Sequence, residues 1–400
     1  MRRSMFAVMG LAFLATVLLA QEAPQQGKIT KVDPDKGTVT IATTSGRERT
    51  FTVTQDTRIM AAGFKPLPEG LKGLKEGAAV MFRVGKKDGR LFLEGIVLAS
   101  PPNFDPAKLK PLTEMGNEDY GGFKGGLYPD GKNERPPAHE KAGVALAKEI
   151  QPLDADGKPS PDGKIVIMSA GMSNTTQVYS AFRRLAHADP DKNRNVVAFD
   201  GAQGGMTASV IQNLEGRGRK YWGVVDNRLK EQGLTRAQVQ VVWMKQADAG
   251  PNQGFPNYAK TLQEEEGRIL QLIRKRFPNV KLAYLSSRTS AFFAKIGLNP
   301  EPYAFESGFS VKWLIEQQIK GDPELNFDPA KGEVKAPWLS WGPYLWTKGD
   351  SKRADGFYYV ESDFGADGTH PSKTGQEKVA RLLLDFFKND STTRGWFRAK

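Results

Sequence analysis

Four hundred residues, with 39% hydrophobic and 26% charged side chains, are enough for two domains of ordinary soluble composition. The net charge of +12 comes from basic residues scattered among acids, not from a basic stripe interleaved with aromatics, so a nucleic-acid partner is not expected. The sequence contains no cysteine, which excludes disulfides, thiolate chemistry and a lipoprotein attachment site.

Arg2 and Arg3 precede an apolar run from Met5 to Ala20, and the chain turns polar at Gln21. This pattern predicts a secretory signal peptide over residues 1–20, cut after Ala20. The run is short for a membrane span and polar sequence follows it, so no stable span is expected after cleavage. Export without disulfides fits a bacterial periplasmic or extracellular protein. Residues 27–100 then read as a small all-β module, a barrel or sandwich. Five strands are expected, over 28–32, 38–43, 49–54, 78–84 and 91–98, separated by turn signals such as Asp35-Lys36-Gly37 and Asp88-Gly89. The module is similar, in pattern alone, to the OB-like barrels of exported bacterial proteins, and its residues carry no sign of chemistry.

Residues 101–150 read as a Pro- and Gly-rich linker followed by a short helix that opens at His139. Such a stretch either wraps over the second domain or serves as a flexible spacer. From 151 to 390 strands alternate with helices. The strands are expected over 165–170, 195–200, 238–244, 281–286 and 357–361. The last helix, 371–388, is the clearest: Val379, Leu382, Leu383, Phe386 and Phe387 fall on one face. Alternating β and α predicts a parallel, doubly wound α/β sheet, whose ligands bind at the carboxyl ends of the strands.

The first of those strands ends in Gly171-Met172-Ser173-Asn174. A strand that turns sharply into a helix lifts the Ser173 hydroxyl above the sheet edge and aims helix-start N–H groups at whatever it attacks. A serine nucleophile needs a base, and the chain has three histidines. His139 lies beside the linker. His187 lies late in the helix after Ser173 and reads as a solvated face residue. His370 follows the expected fifth strand at the same sheet edge as Ser173, and Asp367, three residues earlier, can turn back to orient its imidazole.

Gly171-x-Ser173-Asn174 together with Asp367-x-x-His370-Pro371 resembles the SGNH, or GDSL-type, hydrolase superfamily, nearer its sialate O-acetylesterase-like carbohydrate esterase branch. The resemblance spans residues 164–390. It implies a flavodoxin-like three-layer α/β/α fold, a Ser173–His370–Asp367 triad, and no metal or other cofactor. It also implies an oxyanion hole, for which the Ser173 N–H, the Gly205 N–H and the Gln246 side chain stand nearest the family's positions. In the third block Lys245 and Ala247 replace the family's flanking residues, and Gln246 reads equally as a strand end that satisfies loop backbone. Trp338, Trp341, Tyr344 and Trp346 form either a sugar-stacking wall or a core, and Arg288 and Glu306 fall near the same edge. The expected activity is a secreted serine esterase acting on small acyl esters, acetyl above all, of a small molecule or polysaccharide. An acyltransferase on the same site and a non-catalytic carbohydrate- or envelope-binding protein are the alternatives.

Overall fold

The computed structural model describes residues 25–43, 47–61, 66–87, 90–98, 105–251, 253–295 and 297–399. The expected signal peptide lies outside them. The chain forms two compact units, one from residues within 1–59 and 69–96, the other from residues within 60–68 and 97–400.

The first unit is a closed barrel of β1 (Gln25–Asp33), β2 (Thr38–Thr43), β3 (Glu48–Met60), β4 (Ala79–Lys87) and β5 (Arg90–Leu98), in the order β1-β2-β3-β5-β4. Period-2 alternation decides which side chains enter it. Val39 and Ile41 point inward while Thr38 and Thr40 stay at the surface, and a bulge between Ile29 and Lys31 lets β1 curve. Phe51 and Phe82 meet in the centre with ring centroids 5.3 Å apart.

The second unit begins with α1 (Leu112–Met115), the two-stranded β6 (Asp119–Tyr120) and β7 (Phe123–Lys124), and α2 (Pro137–Ala147). This is the stretch for which a spacer and an overlying wrap were the open alternatives, and it is integral to the unit. Leu112 and Met115 are buried in the main core, and the Tyr120 ring lies 4.8 Å from Phe255 and 4.9 Å from Phe305. Then follow β8 (Ile165–Gly171), α3 (Ser173–Ala188), β9 (Val196–Asp200), α4 (Ala208–Ile211), α5 (Gly216–Glu231), β10 (Val239–Lys245), α6 (Asn257–Arg276), β11 (Leu282–Ser286), α7 (Tyr303–Ile319), β12 (Trp338–Trp341), α8 (Lys373–Asn389) and α9 (Arg394–Phe397).

The five strands are parallel, in the order β12-β11-β10-β8-β9. Counted along the chain this is 2-1-3-4-5, with the switch point between β8 and β10. Both faces of the sheet are covered, which is why the strands read as continuous apolar runs. Val166, Met168 and Ala170 join the core under α5, α6 and α7, while Ile165 and Ile167 join the core under α3 and α8. Among the described residues no helix is long and apolar enough to cross a membrane.

One strand differs from expectation. Residues 357–360 are irregular, and the fifth strand is Trp338–Trp341, paired in parallel with Leu282–Leu285. Its flanking tryptophans mask its pattern, because all four of its side chains are buried. The aromatic run is therefore core and not an exposed wall. Trp338 stacks on His139 at 4.8 Å, Trp341 Nε1 donates to Leu127 O, and Trp346 Nε1 donates to Glu301 Oε1.

Candidate active site

Ser173 is the first residue of α3, two residues beyond the end of β8. The turn is tight enough that a Cβ on Gly171 would fall 2.4 Å from both Lys245 O and Thr175 Oγ1, so only glycine fits. Two further anchors hold the junction. Thr175 Oγ1 donates to Lys245 O (2.7 Å), and Thr176 Oγ1 donates to Asp200, whose other oxygen accepts from Ser169 Oγ (2.5 Å). As the first helical residue, Ser173 has an N–H without an intrahelical acceptor.

His370 and Asp367 arrive from the loop before α8. The loop closes on itself through Gly365 N–H to His370 O (2.7 Å) and Gly368 N–H to Gly365 O (2.9 Å). Gly368 has φ +65°, and a Cβ there would overlap Phe293 O, so this loop also requires glycine. Asp367 Oδ1 accepts from the Thr369 and His370 N–H groups, each at 2.9 Å, and Oδ2 accepts from His370 Nδ1 at 2.6 Å. Burial pushes the Asp367 carboxyl up, but the His370 ring and these N–H donors outweigh it and hold the pKa below the usual carboxylate range. His370 Nε2 lies 2.8 Å from Ser173 Oγ. The structure thus brings Ser173, His370 and Asp367 into one hydrogen-bonded chain at the carboxyl edge of the sheet. A neutral imidazole held by Asp367 through Nδ1–H presents Nε2 to accept the serine proton.

The other two histidines stand apart from this chain. His139 is buried, with Nε2 2.7 Å from Leu339 O, and His187 is exposed.

A cavity of about 430 Å³ opens over Ser173 and His370. Gly205 lines it, and a Cβ on its neighbour Gly204 would come 3.9 Å from Ser173 Cβ. The loop carrying both glycines is tied down by Gln203 N–H to Gly171 O (3.0 Å) and Arg217 Nη2 to Gly205 O (2.8 Å).

Gln246 does not join Ser173 and Gly205. Its side chain is buried, its Nε2 donates to Met206 O (3.2 Å) and its Oε1 accepts from Ala247 N–H (3.3 Å). It satisfies loop backbone, the alternative weighed from its place at a strand end. Two side-chain amides line the cavity, Asn174 and Asn299, and Asn174 is the one beside the serine. Lys245 Nζ donates to Asn174 Oδ1 (2.9 Å), which fixes the flip of the amide and leaves Nδ2 as the donor turned away from the lysine. Lys245 is 0% exposed, and burial, reinforced by Arg288, holds its amine well below the usual lysine range. Asn174 stands in the quoted motif, but nothing in the sequence signals that a buried lysine orients it.

Of the other residues near this edge, Arg288 lines the cavity. Glu306 instead sits in the aromatic core and accepts from Tyr120 Oη (2.8 Å). Arg217, Asp248 and Asn299 also line the cavity and carry no sequence signal. Among the described residues no cluster of three or more His, Asp or Glu side chains can hold a metal ion.

No protein-family model and no curated protein matches the sequence. Solved structures resemble its parts. A protein from Slackia heliotrinireducens, provisionally named an SGNH hydrolase, matches at 15% identity over 56% of this chain and 99% of its own, with TM-score 0.29. The periplasmic domain of a Salmonella ser. Paratyphi A lipopolysaccharide acetyltransferase matches at 12% identity over 62% and 95%, with TM-score 0.32. Apo-CusF from Escherichia coli matches at 19% identity over 21% and 98%, with TM-score 0.16.

Proposed function

We propose that this chain is an exported serine esterase of the SGNH type that cleaves small acyl esters, acetyl above all, through a covalent acyl-enzyme. One observation carries the reading: the unbroken chain from Ser173 Oγ to His370 Nε2 (2.8 Å) and from His370 Nδ1 to Asp367 Oδ2 (2.6 Å), open to a cavity. Ser173 Oγ attacks the ester carbonyl as its proton passes to His370 Nε2. Asp367 steadies the imidazolium, which then protonates the departing alcohol. Water, activated by the same imidazole, attacks the acyl-serine and releases the acid and the free hydroxyl.

The oxyanion of each tetrahedral intermediate needs preorganised donors. The Ser173 N–H, the Gly205 N–H and Asn174 Nδ2 form the proposed set, with Asn174 taking the place expected for Gln246. Lys245 acts through Asn174 as a positioning residue. Partners are a small-molecule or polysaccharide ester in the periplasm or outside the cell. Transfer to a sugar hydroxyl uses the same groups and differs only in the acceptor of the second step.

Labelling with a fluorophosphonate probe tests the reading without knowledge of the substrate. The wild type should label at Ser173 and lose labelling on Ser173→Ala. A folded wild-type protein that never labels would overturn it and favour a binding protein on the same fold.

A further inference from the structure

The cavity beside Ser173 holds a cation that the proposed ester chemistry does not use. Arg288 follows β11 in the buried run Ser287–Ser290 and is 1% exposed. Its backbone is fixed by its N–H, which donates to Ser307 Oγ at 3.1 Å. Among the described residues its guanidinium makes no hydrogen bond and no ion pair. Nε and Nη1 are sealed from solvent without partners, and the side chain forms part of the cavity wall. Guanidinium groups stay charged, and a buried charge with unfilled donors is retained only where something completes it.

The neighbouring acids do not complete it. Asp367 is taken by His370 and two N–H groups. Glu301 accepts from the Ala291 and Phe305 N–H groups and from Trp346 Nε1. Both act on Arg288 electrostatically without pairing with it. Asp248, on the cavity wall, accepts from Ser209 N–H and acts on Glu265, whose pKa burial first and Asp248 second push up to about 9. Lys245 adds a buried amine nearby, its pKa held down by burial and by Arg288, with Asn174 as its partner. On the same wall Asn299 Oδ1 is a buried acceptor without a donor, while its Nδ2 is engaged by Asp248 O and Tyr258 Oη.

We infer that Arg288 is the binding group for a carboxylate carried by the substrate, so that the site takes acyl esters of net negative charge. The planar fork of a guanidinium matches the two oxygens of a carboxylate. On the same wall Arg217 and Asp248 offset one another in charge, so the positive charge of Arg288 is left to balance a monoanion better than a phosphate dianion. Asn299 Oδ1 accepts from a substrate hydroxyl beside the carboxylate. The placement of the ester over Ser173 rests on the esterase reading; the anion site itself does not.

Three aryl esters of similar size locate the charge: neutral phenyl acetate, the acetyl ester of 4-hydroxybenzoate with its carboxylate on the alcohol side, and monophenyl succinate with its carboxylate on the acyl side. The wild type should favour one charged ester over phenyl acetate by at least about tenfold in kcat/KM, mostly through KM. Arg288→Met should erase that ratio. Arg288→Lys keeps the charge without the fork and should recover only part of it, and it serves as the test should Arg288→Met fail to fold. A wild-type preference for phenyl acetate over both charged esters, or a ratio that neither variant moves, overturns the proposal. A second measurement separates the two readings. Benzoate titrated into Ser173→Ala protein by calorimetry should bind saturably, and Arg288→Met in that background should abolish binding. Should the protein hydrolyse none of the esters and label with no fluorophosphonate, the esterase reading falls while benzoate binding still decides Arg288; absence of binding to Ser173→Ala overturns the anion site.

Discussion

The barrel and the α/β unit bury different kinds of side chain. Every buried side chain described in residues 25–98 is apolar. The second unit buries the charged residues Asp200, Lys245, Glu265, Glu266, Arg288, Glu301, Glu306, Lys312, Arg353 and Asp363. Three of them stand at the carboxyl edge that also holds Ser173 and His370: Asp200 ends β9, Lys245 ends β10 and Arg288 follows β11, while Glu306 sits in the aromatic core. A core of either architecture folds on apolar burial alone, and buried ionisable groups cost stability unless paired. The barrel spends nothing on them. Costly groups at the carboxyl edge of such a sheet mark a candidate functional site.

The comparison breaks most sharply if the serine edge proves dispensable. Ser173→Ala and His370→Ala should each lower turnover of an acetyl ester by on the order of 10⁴-fold or more, and to nearly the same level, because nucleophile and base act as a unit. Thermal unfolding should be almost unchanged, since neither side chain fills a core. Two variants that differ widely in residual activity would separate the roles assigned to them.

The barrel offers the opposite expectation. Phe51 is 0% exposed and packs on Phe82. Phe51→Ala should cost about 3–5 kcal/mol in the unfolding of an isolated 27–100 fragment, followed by circular dichroism in urea. An unfolded wild-type fragment would deny that this unit stands on its own core.

Between these lies the choice of amide donor. Asn174→Ala should lower kcat by about 10²-fold with little change in KM, the signature of a group that acts in the transition state. Gln246→Ala removes only bonds to loop backbone, at Met206 O and Ala247 N–H, and should change kcat by less than about threefold while lowering the thermal midpoint. The reverse pattern would restore Gln246 to the oxyanion hole.

What the sequence discloses follows the range of the interactions involved. The barrel strands and the helix over Lys373–Asn389 announce themselves because their patterns are periodic and local. Ser173, Asp367 and His370 are legible for the same reason: each lies in a short segment with glycine at its turn, and only three histidines compete. The strand Trp338–Trp341 is not legible, because a fully buried edge strand of tryptophan, leucine and serine has no alternation. Nor does any local feature show that Lys245 reaches Asn174 from 71 residues away, or that the Gln246 amide turns inward to Met206. Those contacts arise when the switch point brings the ends of β8 and β10 side by side, which only the assembled sheet decides.

A pH-dependent effect on stability sharpens the cost side of the comparison. Glu306 is buried among aromatics, with Oε1 accepting from Tyr120 Oη and Oε2 unpartnered. Burial raises its pKa from 4.5 to about 7 against the opposing pull of the Tyr120 hydrogen bond. Between those values the folded protein keeps a proton that the unfolded chain has lost, so this group's contribution to stability is complete below about pH 4.5 and is lost as pH rises to about 7. The full loss is on the order of 3 kcal/mol at most, from about 1.4 kcal/mol per unit. Glu306→Gln keeps an acceptor for Tyr120 and cannot ionise. Relative to wild type, its thermal midpoint should therefore be higher at pH 8 than at pH 5. An equal difference at both pH values would mean that Glu306 carries no strained charge, and that the core of the α/β unit tolerates a buried acid as readily as the barrel tolerates its phenylalanines.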